Sequence, residues 1–133
     1  MKIRTATTRD AAAIDDLMKQ LHPEITSSDL RVRQRSRKFV ATERGKVLGF
    51  LLATFTDYGI SPYAMIEELV VGADARRAGT GAALLEAATT WAQESGAEVV
   101  FVSANPDAEP FYVRWGFARC TGPWLYRLPR VAA

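Results

Sequence analysis

The chain has 133 residues, of which 48% are hydrophobic and 24% are charged, and its formal net charge is +2. This length fits one domain of about 100 to 150 residues, so we expect residues 1–133 to form a single domain. The composition excludes a disordered chain, and the small net charge argues against a nucleic-acid partner. No apolar run approaches the roughly 20 residues that cross a bilayer, which predicts no membrane partner.

The amino terminus and the cysteine content both indicate the cytoplasm. Residues 1–10 alternate polar and apolar side chains and lack the apolar segment of a signal peptide. The single cysteine, Cys120, cannot form an internal disulfide, which agrees with a reducing compartment. One cysteine and one histidine also argue against a metal site. We therefore expect a cytoplasmic protein without a bound metal.

The first half of the chain carries strand and helix patterns followed by a hairpin. Residues 2–6 alternate as a strand, and residues 10–21 repeat apolar side chains at helical spacing. Ser27, Ser28 and Asp29 predict the cap of a short second helix. Residues 38–42 and 46–55 are β-rich runs around a compact turn, which predicts a pair of antiparallel strands.

The second half predicts a crossover connection and a short carboxyl-terminal pair of strands. The expected elements are a strand at 64–71, the longest helix at 79–94, a buried strand at 98–103, a short helix at 106–114, and strands at 117–120 and 124–128. The order β-α-α-β-β-β-α-β-α-β predicts an α/β fold, a mixed sheet with helices packed on it. The connection from the fourth strand to the fifth is expected to be parallel and right-handed.

The segment between the fourth strand and the longest helix suggests an anion site. It leads from a buried strand directly to a helix amino terminus, where unpaired N–H groups and a partial positive charge attract phosphate. Gly79 and Gly81 let an anion approach the backbone, and Arg76 and Arg77 supply bidentate donors. A tight turn with close helix packing is the alternative interpretation of the two glycines.

Two common phosphate-binding motifs do not fit this segment. A P-loop requires Gly-Lys followed by Ser or Thr, which the sequence lacks. A dinucleotide fingerprint that starts at Gly79 requires a small residue where Leu84 stands, and it normally opens the first β-α unit of a chain.

Two motifs resemble the GNAT superfamily of N-acetyltransferases. The sequence Arg76-Arg77-Ala78-Gly79-Thr80-Gly81 is similar to that family's Arg/Gln-x-x-Gly-x-Gly/Ala signature, and it follows Glu67-Glu68-Leu69-Val70-Val71, which resembles the family's fourth strand. Residues 105–117 resemble a second motif through Asn105, Phe111-Tyr112 and Gly116-Phe117. The element order resembles the family over essentially the whole chain, although Ala73 stands where the family often has proline.

The resemblance implies acetyl-CoA as the co-substrate and assigns its contacts. The pyrophosphate is expected beside Arg76 and the backbone amides of Arg77, Ala78, Gly79, Thr80 and Gly81. The backbone of Leu69, Val70 and Val71 is expected to hold the pantetheine arm as an added strand would be held. Asn105 is expected to touch the pantetheine or hold the end of the fifth strand, with helix capping before Pro106 as the alternative.

The resemblance also implies the catalytic groups. The attacking amine must be neutral, so a base must remove its proton. Glu67 and Glu68 are the nearest carboxylates, and strand alternation is expected to send them to opposite faces. The family position favours Glu67, with proton relay by water as the alternative. Tyr112 is expected to protonate the leaving thiolate, and simple core packing beside Phe111 is the alternative.

The predicted reaction is transfer of an acetyl group from acetyl-CoA to a primary amine by direct attack in a ternary complex. The acceptor is a small-molecule or peptide amine. A two-step route through Cys120 is disfavoured because the sequence shows no base beside it. Two other functions stay open: a non-catalytic acyl-CoA sensor, and a nucleic-acid-associated factor.

Two further segments have roles that the sequence does not decide. The basic run at residues 31–38, with Arg31, Arg33, Arg35, Arg37 and Lys38, is either a solvated surface, a selector of acidic acceptors, or a contact for the CoA 3′-phosphate. The apolar segment Trp124-Leu125-Tyr126 suggests a homodimer contact.

Overall fold

The computed structural model describes residues 1–76, 79–122, 125, 127 and 128. Its regular elements are α1 (Ala11–Met18), β1 (Arg33–Glu43), β2 (Lys46–Asp57), β3 (Tyr63–Val71), α2 (Thr80–Ser95), β4 (Val99–Val102) and α3 (Glu109–Arg114). Short 3-10 turns at Thr8–Asp10 and Ala73–Ala75 lie before α1 and α2. The chain divides into a first unit, Met1–Ser103, and a second unit that begins at Ala104.

The first unit contains a four-stranded mixed sheet in the order β1-β2-β3-β4. The pairs β1-β2 and β2-β3 are antiparallel, and β3-β4 is parallel. The hairpin turn places Arg44 at φ 51 and Gly45 at φ 77, the left-handed conformations that join twisted antiparallel strands tightly. The predicted mixed sheet, its hairpin and the parallel pairing across α2 are confirmed.

The core lies between α2 and one face of the sheet. This face, called the helix face, carries the buried side chains of Leu51, Ala53, Phe55, Ala64 and Ile66. They meet the predicted apolar stripe of α2, which contributes Leu84, Leu85, Ala88, Trp91 and Ala92. The residues of β2 that alternate with this set, among them Leu52, Thr54 and Thr56, are half-buried on the other side of the sheet, called the opposite face.

Residues 2–6 do not form the predicted first strand. The segment is exposed, and Ile3 is 83% exposed, so no apolar side chain docks it on the sheet. Arg4 instead forms two hydrogen bonds of 2.8 Å with the Asp10 carboxylate. This local ion pair directs the segment toward the start of α1 rather than along the sheet.

The predicted second helix is also wrong, because the segment forms only turns. The Asp29 carboxylate accepts hydrogen bonds from the backbone N–H and the hydroxyl of Thr26 at 2.9 and 2.8 Å. The same backbone and side-chain donors hold the pKa of Asp29 below its usual value. The capping residues are thus used within one turn, and β1 begins shortly afterwards at Arg33.

The predicted strand at residues 117–120 is not formed. In the second unit the Phe117 ring packs on that of Tyr112, with centroids 5.5 Å apart. Arg119 pairs with both carboxylate oxygens of Glu109 at 2.7 and 2.9 Å. These contacts fold the segment back on α3. The partner strand predicted at 124–128 lies largely outside the described residues.

Most of the basic run lies on β1, an edge strand of the described sheet, and Arg31 precedes this strand. The guanidinium carbon of Arg35 lies 5.1 Å from the Phe55 ring centroid, and that of Arg37 lies 5.6 Å from Trp91. Two cations of the run therefore lie over aromatic rings, Phe55 on the helix face of the sheet and Trp91 on α2. Within the described part of the chain, no helix combines the length and the apolar content needed to cross a membrane.

Candidate active site

The two halves of β3 have different neighbours. β4 pairs with the first half, from Tyr63 opposite Val99 to Ile66 opposite Val102. β2 continues to pair with β3 as far as Val71. In the described sheet, β3 is therefore paired with a strand on one side only from residue 67 to residue 71. On the other side, the backbone of these residues forms an open edge. Such an edge offers N–H and C=O groups to an extended ligand.

A β-bulge separates these two halves at Glu67. Ile66 pairs with Ala53 and Glu68 pairs with Leu52, which are consecutive residues of β2, so Glu67 is the extra residue of β3. A bulge of this kind interrupts the alternation of side chains and redirects them locally. Directly opposed residues of an antiparallel pair share a face, so Glu68 lies with Leu52 on the opposite face.

Glu67 lies on that same face. The hydroxyl of Thr54, which belongs to the opposite face, donates a hydrogen bond of 2.9 Å to Oε1 of Glu67. Both glutamates are exposed. The expectation that the two carboxylates point to different faces is wrong, because the bulge falls between Ile66 and Glu68 and breaks the period of two.

Two residues of the loop after β3, Gly72 and Arg76, contact the sheet. The N–H of Gly72 donates to the carbonyl of Leu48 at 2.8 Å, which continues the sheet contact beyond Val71. Nε of Arg76 lies 3.4 Å from the Val71 carbonyl oxygen, so the guanidinium lies beside the end of β3. The predicted pyrophosphate ligands Arg77 and Ala78 lie outside the described residues.

The amino terminus of α2 begins at Gly79. This residue has φ 78 and ψ 8, a left-handed conformation that costs other residues about 1–2 kcal/mol. Its carbonyl accepts the N–H of Ala83 at 3.0 Å, which starts the helical ladder. The N–H groups of Thr80, Gly81 and Ala82 precede this bond, so the helix itself supplies them no acceptor. Their free ends and the helix dipole favour an anion.

Gly49 on β2 lets α2 approach the sheet at this end. A Cβ atom at Gly49 would lie 3.0 Å from Cδ1 of Leu84 and 3.1 Å from the carbonyl oxygen of Val70. It would also lie 3.3 Å from Cγ2 of Thr80. The first turn of α2 is therefore held directly against β2 and β3. The anion-favouring helix end and the open strand edge are parts of one rigid arrangement.

The second unit contains the remaining predicted site residues. Oδ1 of Asn105 accepts the N–H of Ala108 at 2.9 Å, and the Asn105 carbonyl accepts the N–H of Glu109 at 3.1 Å. These bonds close a turn at residues 105–109 that leads into α3, whose amino-terminal cap is Ala108. Tyr112 is 9% exposed, and its ring packs edge-on against Phe111 at a centroid distance of 5.1 Å.

Residues 7–117 match the model of the Acetyltransferase (GNAT) family. The chain belongs to this family. The GNAT enzyme is therefore an acyltransferase, and the membership predicted from the two motifs is confirmed. Among the described residues, no group of three or more His, Cys, Asp or Glu side chains is arranged to hold a metal ion.

Comparison with individual proteins agrees with this membership. The GNAT enzyme is 31% identical over 138 residues to an uncharacterized N-acetyltransferase, YhfO, of Bacillus subtilis (strain 168), covering 92% of this chain and 93% of that protein. Its fold matches AAC(6')-Iy in complex with the bisubstrate analogue CoA-S-monomethyl-acetylneamine, with a TM-score of 0.62, 21% identity, and coverage of 97% and 98%. It also matches a transcriptional regulator from Bacillus halodurans C-125, with a TM-score of 0.62, 24% identity, and coverage of 96% and 98%. These two structures support the fold alone.

The predicted site residues of the first unit lie on two elements and the segment between them: Glu67, Glu68, Leu69, Val70 and Val71 on β3, Arg76 after it, and Gly79, Thr80 and Gly81 at the amino terminus of α2. Asn105 and Tyr112 belong to the second unit of the GNAT enzyme. The roles of Thr54, Gly49 and the bulge were not predicted from the sequence. The bulge is visible in the burial along β3, where two consecutive exposed residues, Glu67 and Glu68, interrupt the alternation that holds from Tyr63 to Ile66.

Proposed function

We propose that this GNAT enzyme transfers an acetyl group from acetyl-CoA to a primary amine by direct attack in a ternary complex. The observation that carries this proposal is the end of β3-β4 pairing at Ile66, beyond which the edge of β3 is open in the described sheet. Along the chain, the open edge is followed by the described residues 72–76, and the amino terminus of α2 begins at Gly79. A ligand with an amide-containing arm joined to a diphosphate fits this sequence of backbone groups.

Coenzyme A has this chemistry. The two amides of its pantetheine arm match the N–H and C=O groups of Leu69, Val70 and Val71. Its pyrophosphate matches the amides from Arg77 to Gly81 and the guanidinium of Arg76. The bisubstrate analogue bound by AAC(6')-Iy contains CoA, and this supports the assignment for a protein of the same fold.

The proposed chemistry uses one base and one acid. The nitrogen of a neutral amine attacks the thioester carbonyl carbon, a C–N bond forms, and the C–S bond breaks. Glu67 first takes the ammonium proton that blocks this nitrogen, directly or through one water molecule. Tyr112 gives its phenolic proton to the departing thiolate, and the second proton lost by the nitrogen as the amide forms restores the phenol through solvent. Glu67 is supported as the base by its position at the bulge, where β4 pairing ends.

The proposed acceptor is a cationic small-molecule or peptide amine. Two exposed carboxylates, Glu67 and Glu68, lie on the same face of the sheet and attract a positively charged amine. AAC(6')-Iy is an aminoglycoside acetyltransferase, and the analogue bound to it contains acetylneamine. We propose that residues 1–133 act as one acetyltransferase domain, because the family match spans both units. The exposed free thiol of Cys120 supports the cytoplasm as its location.

Ligand binding and turnover test the proposal separately. Thermal melts with CoA, acetyl-CoA, NAD and ATP are compared; a ligand at about 100 times its dissociation constant adds about 2.7 kcal/mol, a shift of several degrees. We expect shifts with CoA and acetyl-CoA alone. Thiol release from acetyl-CoA is then measured with neamine, spermidine, free lysine and a lysine-containing peptide. Binding without release for any amine would contradict the enzyme and indicate a sensor.

A pair of variants on α2 tests the location of the diphosphate. Gly81→Leu places a large side chain at the amino terminus of the helix, and we expect it to abolish the thermal shift with CoA. Ala87→Leu, at an exposed position of the same helix, is the matched control and should keep the shift. An unchanged CoA shift in Gly81→Leu would place the cofactor elsewhere.

A further inference from the structure

We infer that Thr54 is a positioning residue for Glu67, and this inference rests on the proposed role of Glu67 as the base. The Thr54 hydroxyl donates to Oε1 of the Glu67 carboxylate at 2.9 Å, within normal hydrogen-bond geometry. Thr54 is half-buried in β2, whereas Glu67 is exposed. The rigid partner therefore lies in the sheet and the mobile partner is the long carboxylate side chain.

The bulge leaves Thr54 as the side chain of β2 that defines the direction of Glu67. As the extra residue of β3, Glu67 has no directly opposed residue in β2 to define the direction of its side chain. A glutamate side chain rotates about several bonds, and an exposed one samples several rotamers. The bond from Thr54 selects rotamers that hold Oε1 against β2, which leaves Oε2 directed away from this bond and able to accept a proton.

The direction of the hydrogen bond from Thr54 to Glu67 also suits the proposed role of Glu67 as a base. A hydroxyl that donates to a carboxylate orients it without neutralising it, whereas a cation at the same place would compete with an ammonium substrate. Thr54 pairs with Met65 on β3 and with Ser36 on β1. Neither of these partners brings a charge beside the Glu67 carboxylate.

The test is a set of isosteric variants assayed for thiol release from acetyl-CoA with the fastest amine of the panel. Thr54→Val removes the hydroxyl but keeps the shape, and we expect kcat to fall roughly tenfold while KM for acetyl-CoA stays constant. Thr54→Ser restores the donor and should restore most of kcat. Thr56→Val is the matched control: Thr56 lies two residues along the same strand and face, and its hydroxyl accepts a bond from Gln34 at 3.3 Å rather than contacting a carboxylate.

A double-variant cycle separates positioning from a general effect on the sheet. In a Glu67→Gln background, Thr54→Val should cause little further loss, because the group that it positions is no longer a base. Full additivity of the two losses, or equal loss in Thr54→Val and Thr56→Val, would overturn the inference. A wild-type enzyme without turnover for any amine would overturn the proposed function and this inference together. Normal turnover in Thr54→Val would overturn the inference alone.

Discussion

The Phe39 ring on β1 stands edge-on to the indole of Trp91 on α2, with centroids 6.3 Å apart and an interplanar angle of 69°. Arg37 lies over the same indole at 5.6 Å. This cluster joins the edge strand of the sheet to the second half of the helix whose first turn forms the proposed diphosphate site. Together with the close contact at Gly49, this cluster fixes the orientation of α2 on the sheet.

Removing the indole should therefore destabilise the first unit. Trp91 is 8% exposed, and truncation of a large buried aromatic side chain typically costs about 3–5 kcal/mol. We expect Trp91→Ala to lower the free energy of unfolding by this amount in urea titrations. Trp115→Ala is the comparison, because Trp115 is 53% exposed and should cost much less. Equal losses in the two variants would contradict the packing described for Trp91.

Variants of two glycines with left-handed backbones separate an effect on folding from an effect on ligand binding. Gly79 and Gly96 cap the two ends of α2 with φ 78 and φ 104, and in the described part of the chain no atom lies within 4 Å of the place that a Cβ would take at either glycine. Alanine at either position should cost about 1–2 kcal/mol of stability, through backbone strain alone. Gly79→Ala should also weaken acetyl-CoA binding in isothermal titration, whereas Gly96→Ala should not. Loss of binding in both variants would point to a general folding defect.

The proposed acid is tested by removing one hydroxyl. Tyr112→Phe keeps the ring contacts with Phe111 and Phe117, so we expect a folded protein that still binds acetyl-CoA. Its kcat should fall about 10²- to 10⁴-fold, the usual contribution of a positioned general acid. Tyr58→Phe, in the loop after β2, is the control and should retain full turnover. Unchanged kcat in Tyr112→Phe would leave Tyr112 with a packing role.

The ion pair at the amino terminus predicts a pH-dependent contribution to stability. Two hydrogen bonds from Arg4, together with the N–H of Thr7, lower the pKa of Asp10 from 3.8 to about 2. Because the folded-state pKa is depressed, this contribution is complete above pH 3.8 and disappears as the pH falls toward 2. Asp10→Asn should therefore melt below the wild type at about pH 7 and converge with it near pH 2.

A neighbouring carboxylate serves as the control for this prediction. Asp16 is exposed on α1 and contacts Lys19 at 3.1 Å, a surface pair of little energetic value. Asp16→Asn should leave the melting temperature almost unchanged across the same pH range. A constant difference between Asp10→Asn and the wild type over that whole range would contradict the ionic origin of the effect.

Much of the first unit was predictable because its patterns are local and strong. The apolar stripe of α2, its end at Gly96 and the hairpin turn at Gly45 each depend on residues close together in the chain. The prediction of a strand at residues 2–6 was wrong, because an alternation of polar and apolar residues does not show whether a neighbouring strand pairs with the segment. The bonds between Arg4 and Asp10 are a local alternative that such a pattern does not reveal.

The sequence by itself determined the family and the order of chemical groups, since both motifs are contiguous runs of residues whose spacing follows from the backbone. Only the tertiary structure decided which face Glu67 and Glu68 share, because this depends on the register of β3 against β2. The same is true of Thr54, which is 13 residues from Glu67 in the chain and meets it across two paired strands. A shift of one residue in register exchanges the faces of a strand, and register is set by contacts between distant segments.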